Sequence, residues 1–238
     1  MPRFKINSED ISENLVRIEG DNYRHIALVL RMKVDDNVML FDSDGVEYDC
    51  VIKRISKNDL LAEIVNNNKI NRESPIKTTL FQAIIKGDRM DLIVQKATEL
   101  GANDIYPVVT QRSDVKNTNK VQRWQKIADE SIKQCGRAVS PKVHSEIKFK
   151  QVFELEKSDL NLIFYEIENS LTITDIRSSS KIESASLIIG PEGGFTENEV
   201  ALAEDNNFKS VGIGPRILRS ETASIAAITL IQHYFGDI

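Results

Sequence analysis

Two short apolar runs that each stop at a Gly-Pro constrain this chain more than any other feature. Leu187-Ile188-Ile189 ends in Gly190-Pro191-Glu192-Gly193-Gly194-Phe195, and Val211-Gly212-Ile213 ends in Gly214-Pro215-Arg216-Ile217-Leu218-Arg219. Apolar runs this short, bounded by glycine and proline, read as buried strands. In an open α/β sheet, ligands bind where strands end. Glycine lets the backbone approach a ligand with no Cβ in the way, and proline fixes the path of the loop. Either loop alone reads equally well as a tight connection. The pair, with Arg216, Arg219 and Glu221 crowded at the second, points to one small-molecule pocket.

Neither loop is G-x-G-x-x-G or G-x-x-x-x-G-K-[ST], and Glu192 inside the first would repel a phosphate rather than cradle it. A cationic or neutral ligand is expected. Cys50 and Cys135 lie far apart with no Cys-x-x-Cys pair, and His25, His144 and His233 form no spaced ligand set, so neither a disulfide framework nor a metal site is expected. No apolar run approaches a membrane span and the N-terminus has no signal-peptide core, so a cytoplasmic protein is expected.

From Thr78 the rhythm is βα. Leu80–Ile85 reads as a strand, Asp88 to Leu100 as a helix with Asp88 as N-cap, and Ile105–Val109 as the next strand. Lys120 to Cys135 follows as a second helix and Leu160–Tyr165 as a further strand. A Thr196-x-x-Glu199 capping box opens a third helix, and the last begins near Ser220. Such alternation implies a mostly parallel sheet covered on both faces. Residues 1–70 read instead as β. A hairpin turns at Asp42–Gly45, Leu60–Val65 forms another strand, and Tyr23–Arg31 forms a short helix. The polar segment Asn66–Pro75 is the expected linker between a domain at 1–70 and a domain at 75–238.

The net charge of −5 opposes binding to a polyanion, but it is uneven: residues 71–160 carry 16 basic and 12 acidic side chains. A local basic surface can hold a polyanion, because screening confines the field to about 10 Å; a solvated helix face is the alternative. Lys86 and Arg89 sit at a strand end where a helix begins, and Arg3, His25, Arg31 and Lys33 form a second basic group. On the helix over 120–135, Glu130 and Gln134 share a face, with Arg137 just beyond. This set can orient a planar heterocycle, or simply face solvent. Trp124, the one tryptophan, reads as a core or interface anchor.

Taken in order, Lys86-Gly-Asp-Arg-Met-Asp-Leu-Ile-Val-Gln-Lys-Ala-Thr-Glu-Leu-Gly101, Arg123-Trp-Gln-Lys-Ile-Ala, Glu130 with Gln134 and Gly136-Arg137, Ile189–Phe195 and Gly214–Ala223 strongly resemble the RsmE family. Its members are bacterial 16S ribosomal RNA uracil-N3-methyltransferases of the SPOUT class. The resemblance covers nearly the whole chain, Val29-Leu30-Arg31 included; Ser220 stands where the family commonly has Thr, and Cys135 where it has Ser. It implies an α/β fold with a SPOUT-type parallel sheet and a C-terminal trefoil knot, preceded by a small PUA-like β-barrel domain, working as a homodimer without metal. It implies S-adenosylmethionine held by Gly190, Pro191, Glu192, Gly193, Ile213, Gly214, Ile217, Leu218, Arg219, Thr222 and Ala223. Ribosomal RNA, free or in the small subunit, would meet Arg3, His25, Arg31, Lys86, Arg89, Arg112 and Arg123.

Uracil N3 lies on the pairing edge and carries a proton, so the target base must be unpaired, a base must take the proton, and donors must hold the charge that develops. Glu130 is the candidate base, and Arg137 or Arg219 the candidate charge stabiliser. A non-catalytic RNA-binding protein and a methyltransferase acting on another RNA position are the rival readings.

Overall fold

The computed structural model describes residues 2–168, 171–176 and 181–238. Two units emerge, Met1–Glu73 with Ile132–Val139, and Ser74–Ser131 with Ser140–Ile238. The chain thus returns to the first unit for eight residues that lie within the second half of the sequence.

In the first unit, β1 (Arg3–Lys5), β2 (Ile11–Ser12), β3 (Leu15–Glu19), β4 (Asn37–Phe41), β5 (Val46–Ile55) and β6 (Asp59–Lys69) form a six-stranded sheet in the order β1-β4-β5-β6-β3-β2 among the described residues. Alternation decides which face is inside: Val16 and Ile18 of β3 are buried between exposed neighbours and join Phe4, Leu40, Cys50 and Leu60 in one core. Burial pushes the Cys50 thiol up to about 12, so this cysteine is an inert core residue. The β4–β5 hairpin turns where expected. Gly45 takes φ +80°, and the Asp42 carboxylate accepts the N–H groups of Asp44 and Val46, both at 2.9 Å. The linker expected to begin at Asn66 does not. Asn66–Asn68 and Lys69 pair with Asp49–Glu47 and Val46 as the end of β6, because ladder bonds use the backbone and leave polar side chains in solvent. The short helix read near Tyr23 is α1 (Gly20–Tyr23) running into a π-helical stretch, Arg24–Val29, and Arg31 follows at φ +55°.

In the second unit, β7 (Lys77–Ala83), β8 (Asp104–Val109), β9 (Lys142–Val143), β10 (Ile147–Lys148), β11 (Leu160–Phe164), β12 (Ser184–Ile189) and β13 (Lys209–Val211) pair in parallel throughout. The order is β10-β8-β7-β12-β11-β13, with β9 beside β8. Both faces are covered, so the strands read as near-continuous apolar runs. Leu80, Ile105, Leu162, Leu187 and Ile189 pack with α2 (Arg89–Glu99), α3 (Val121–Cys135) and α5 (Ser220–Phe235). Phe81, Val108, Ile163 and Ile188 pack on the other side with α4 (Glu197–Asp205) and the 3₁₀ turn Phe149–Glu154. Trp124 is a core anchor, fully buried, with its indole N–H on Asp91 at 3.0 Å. The α4 capping box is present, whereas Asp88 precedes α2 without a side-chain cap bond.

Parallel strands put every carboxyl end on one edge. Register makes three of those ends level: Phe164 of β11 is opposite Ile189 of β12 on one side and Val211 of β13 on the other. The loops after these strands therefore leave the sheet side by side.

Candidate active site

At that edge the second unit encloses a pocket of about 350 Å³, within the size range of small-molecule sites. Phe164, Tyr165 and Glu166 enter from the end of β11, and Ile189, Gly190, Pro191, Glu192 and Gly194 from the end of β12. Ile213, Gly214, Arg216, Ile217, Leu218 and Arg219 follow β13, while Arg89, Ser220 and Ala223 come from the starts of α2 and α5.

A buried polar network fixes the two glycine loops to each other. The Ser220 hydroxyl donates to the Gly190 carbonyl at 2.6 Å, the Gln82 amide donates to Ser220 Oγ at 2.9 Å, and the Ser224 hydroxyl donates to Gln82 Oε1. Gln82 is fully buried, so its bonds to Ser220 and Ser224 form without competition from water. Arg112 pins the far side of the first loop by donating to the carbonyls of Gly193 (2.9 Å) and Phe195 (3.2 Å). Gly194 takes φ +67°, and a Cβ there would overlap the Glu166 carboxylate. Gly214 takes φ +95° with open space where its side chain would be.

The pocket is electrically mixed. Arg89 and Glu192 pair with each other, whereas Glu166, Arg216 and Arg219 line it with no hydrogen-bond or ion-pair partner among the described residues. Burial, then the Glu166 and Glu197 charges, raise the Tyr165 pKa above its ordinary value.

A family model described as an RNA methyltransferase domain matches residues 72–232, and one described as an RNA methyltransferase PUA domain matches residues 18–65. Ribosomal RNA small subunit methyltransferase E of Bacillus subtilis is 34% identical over 91% of this chain and 89% of its own. The chain belongs to the RsmE family. The Neisseria gonorrhoeae member, solved bound to S-adenosyl methionine, superposes with a TM-score of 0.90 at 36% identity, covering 100% of this chain and 99% of that one. A Legionella pneumophila methyltransferase solved with the bound cofactor SAM gives a TM-score of 0.90 at 34% identity, with 99% and 98% covered.

In this RsmE chain the pocket gathers nine of the residues expected around the cofactor: Gly190, Pro191, Glu192, Ile213, Gly214, Ile217, Leu218, Arg219 and Ala223. Gly193 and Thr222 are outside its lining; the open side of Gly193 faces the Arg112 side chain, 3.4 Å from its Cβ. Phe164, Tyr165 and Glu166 were not anticipated. The loop after Tyr165 has no Gly-Pro mark, although the rule that ligands sit at strand ends applies to it equally.

Most of the other expected residues lie outside the pocket lining. Arg137 is 3% exposed and belongs to the first unit. There its guanidinium donates twice to Glu73 Oε2, at 2.9 and 2.7 Å, while Glu73 Oε1 accepts the N–H groups of Ala138 and Val139. This pairing holds Arg137 within the first unit. Glu130 is exposed on α3 and outside the pocket lining. Arg3 caps the end of α3, donating to the Ile132 carbonyl (3.2 Å) and to Glu47 (2.6 Å) above the Phe41 ring, so it is not a surface contact. His25 is half-buried, edge-on to Phe4. Lys86 pairs with Asp114 at 2.9 Å, Arg89 with Glu192, Arg123 with Asp91, and Arg112 is spent on loop carbonyls. Of the seven cationic positions expected to meet RNA, Arg31 alone is exposed with no partner among the described residues. Sequence gives a charge but not the carboxylate that answers it.

No group of three His, Cys, Asp or Glu side chains that could hold a metal ion exists among the described residues. No helix among them is long and apolar enough to cross a membrane.

Proposed function

We propose that this chain methylates N3 of a uridine in 16S ribosomal RNA with S-adenosylmethionine as donor. The observation that carries the reading is the pocket at the level ends of β11, β12 and β13, whose two glycine loops are bonded together through Ser220 and Gly190. Its composition fits the donor. Ile189, Ile213, Leu218 and Ala223 give an apolar bed for a nucleoside, backbone groups are open at Gly214, and the unpaired Glu166 carboxylate offers a counter-charge to a sulfonium. Gly190, Gly194, Ile213, Gly214 and Leu218 would hold it; when bound, it supplies an electrophilic methyl group on a sulfonium.

The residues of the chain then have two tasks. Arg216 and Arg219, both unpaired at the pocket, favour loss of the N3 proton and hold the negative charge that spreads over O2 and O4 of the base. The proton leaves to solvent. With Arg137 locked against Glu73, the charge role falls to Arg219, and Glu130 keeps a part in proton removal only where a second copy brings its α3 to the pocket. A homodimer is part of this reading, and Ile217, 83% exposed at the pocket rim, supports a covering surface there. So is a C-terminal trefoil knot, supported by β11 lying between β12 and β13. A PUA-like barrel built on the six-stranded sheet and a cytoplasmic location with the ribosome complete it.

Mass spectrometry of 16S ribosomal RNA nucleosides tests the reading. N3-methyluridine disappears on deletion of the gene and returns on complementation; an unchanged level in the deletion strain refutes it.

A further inference from the structure

A second concavity lies on the same carboxyl edge of the parallel sheet. It is walled by Thr110, Gln111 and Lys116 after β8 and by Glu146, Lys148 and Lys150 around β10. Lys148 stands level with Val109, the last residue of β8, so these side chains leave the sheet at the edge where the methyl-donor pocket opens. β8 is two strands from β12, about 10 Å at ordinary strand spacing.

The cations of this groove differ from Lys86, Arg89 and Arg123. Lys86, Arg89 and Arg123 are neutralised by carboxylates of the chain itself. Lys148 and Lys150 are exposed, and neither they nor Lys116 has a carboxylate within ion-pair distance among the described residues. Lys116 donates to the carbonyls of Thr110 (3.1 Å) and Gln111 (3.0 Å), which fixes its ammonium without cancelling its charge. Glu146 is the one carboxylate in the lining, against three lysines.

The groove is also built onto the pocket. Its wall is stiffened by the buried Thr110 and Ser113 hydroxyls, 2.8 Å apart. The Gln111 N–H donates to Glu199 at 2.8 Å, and Arg112, next in the chain, holds the carbonyls of Gly193 and Phe195. Phe149, part of the groove, packs on Phe195 with ring centroids 5.7 Å apart. A polyanion seated in the groove is thereby placed at a fixed offset from the loop that closes the pocket.

We infer that this groove seats the phosphodiester backbone of the RNA strand beside the target nucleotide, with Lys116, Lys148 and Lys150 on its phosphates. The inference rests on the RNA methyltransferase reading above. Three cations without an ion-pair partner on a concave wall favour a polyanion, and each phosphate neutralised releases counterions.

The test is the salt dependence of 16S ribosomal RNA binding by the full chain, with Lys116, Lys148 and Lys150 changed together to Gln. The slope of log K against log salt should flatten by about two units, at roughly 0.7 per phosphate of a single strand. The same three positions changed to Arg should restore it. Affinity for S-adenosylmethionine, measured by calorimetry, should be unaltered and certifies the fold. A Gln variant with the wild-type slope and affinity, in a protein that methylates 16S ribosomal RNA, overturns the groove and leaves the methyltransferase reading standing. A wild-type protein that binds S-adenosylmethionine but neither binds nor methylates 16S ribosomal RNA overturns both.

Discussion

The Ser220 hydroxyl donates to the Gly190 carbonyl at 2.6 Å, tying the first residue of α5 to a loop thirty positions earlier. Removing it in Ser220→Ala leaves the buried Gln82 amide with one acceptor fewer. A buried hydrogen bond of this kind contributes about 1 kcal/mol, so affinity for S-adenosylmethionine should fall about fivefold. Ser220→Thr keeps the hydroxyl and should bind within about twofold of wild type by calorimetry.

Adjacent glycines should respond very differently to the same change. Gly194→Ala forces a side chain onto φ +67° and into the Glu166 carboxylate, and should lose about 1–2 kcal/mol of stability together with most cofactor affinity. Adding Glu166→Ala should recover the steric part only. Gly193→Ala, whose Cβ would rest 3.4 Å from Arg112, should bind and melt like wild type. Thermal unfolding and calorimetry on the four proteins decide the matter, and equal losses at both glycines would contradict it.

Two arginines once grouped as charge stabilisers should separate by assay. Arg219→Ala should lower single-turnover methyl transfer by about 10²–10³-fold with the melting temperature unchanged, because it removes a donor from the developing charge. Arg137→Ala should cost about 1.5–3 kcal/mol of stability, because it removes the charge-assisted hydrogen bonds to Glu73. Normal stability in Arg137→Ala would mean that the pairing carries no weight.

Acid should reveal the joint at the start of β12. Asp159 accepts the N–H groups of Glu183 (2.9 Å) and Ser184 (3.0 Å), and these bonds hold its pKa below 3.8. A lowered folded-state value contributes stability at pH above the unfolded value, and this is lost as pH falls through the folded one. Melting temperature should therefore drop less steeply below about pH 4 in Asp159→Asn than in wild type, from a lower plateau at pH 7. Parallel curves would refute this.

The pocket was legible at Gly190 and Gly214 because glycine and proline announce a loop at a strand end. Glu166 carries no such mark, and it enters only because register levels Phe164 with Ile189 and Val211. Gly193 and Gly194 are indistinguishable as letters, and the sign of φ separates them. The cationic residues misled most. Arg89 and Glu192 are 103 positions apart, and Arg137 and Glu73 are 64, so no local pattern tells a neutralised cation from an available one. Asn66–Lys69 looked like a linker because strand pairing there rests on backbone bonds that composition does not record.

Ile132–Val139 counts with the first unit although more than fifty residues of the second precede it. Phe41 packs on Ile132 and Ala138, and Glu73 holds Arg137. Inheritance must respect this interleaving. A crossover near residue 73 that joins the N-terminal part of one relative to the remainder of another would put two ancestries inside a single core. Viable chimaeras should be those that carry the eight-residue return segment along with the first seventy-three.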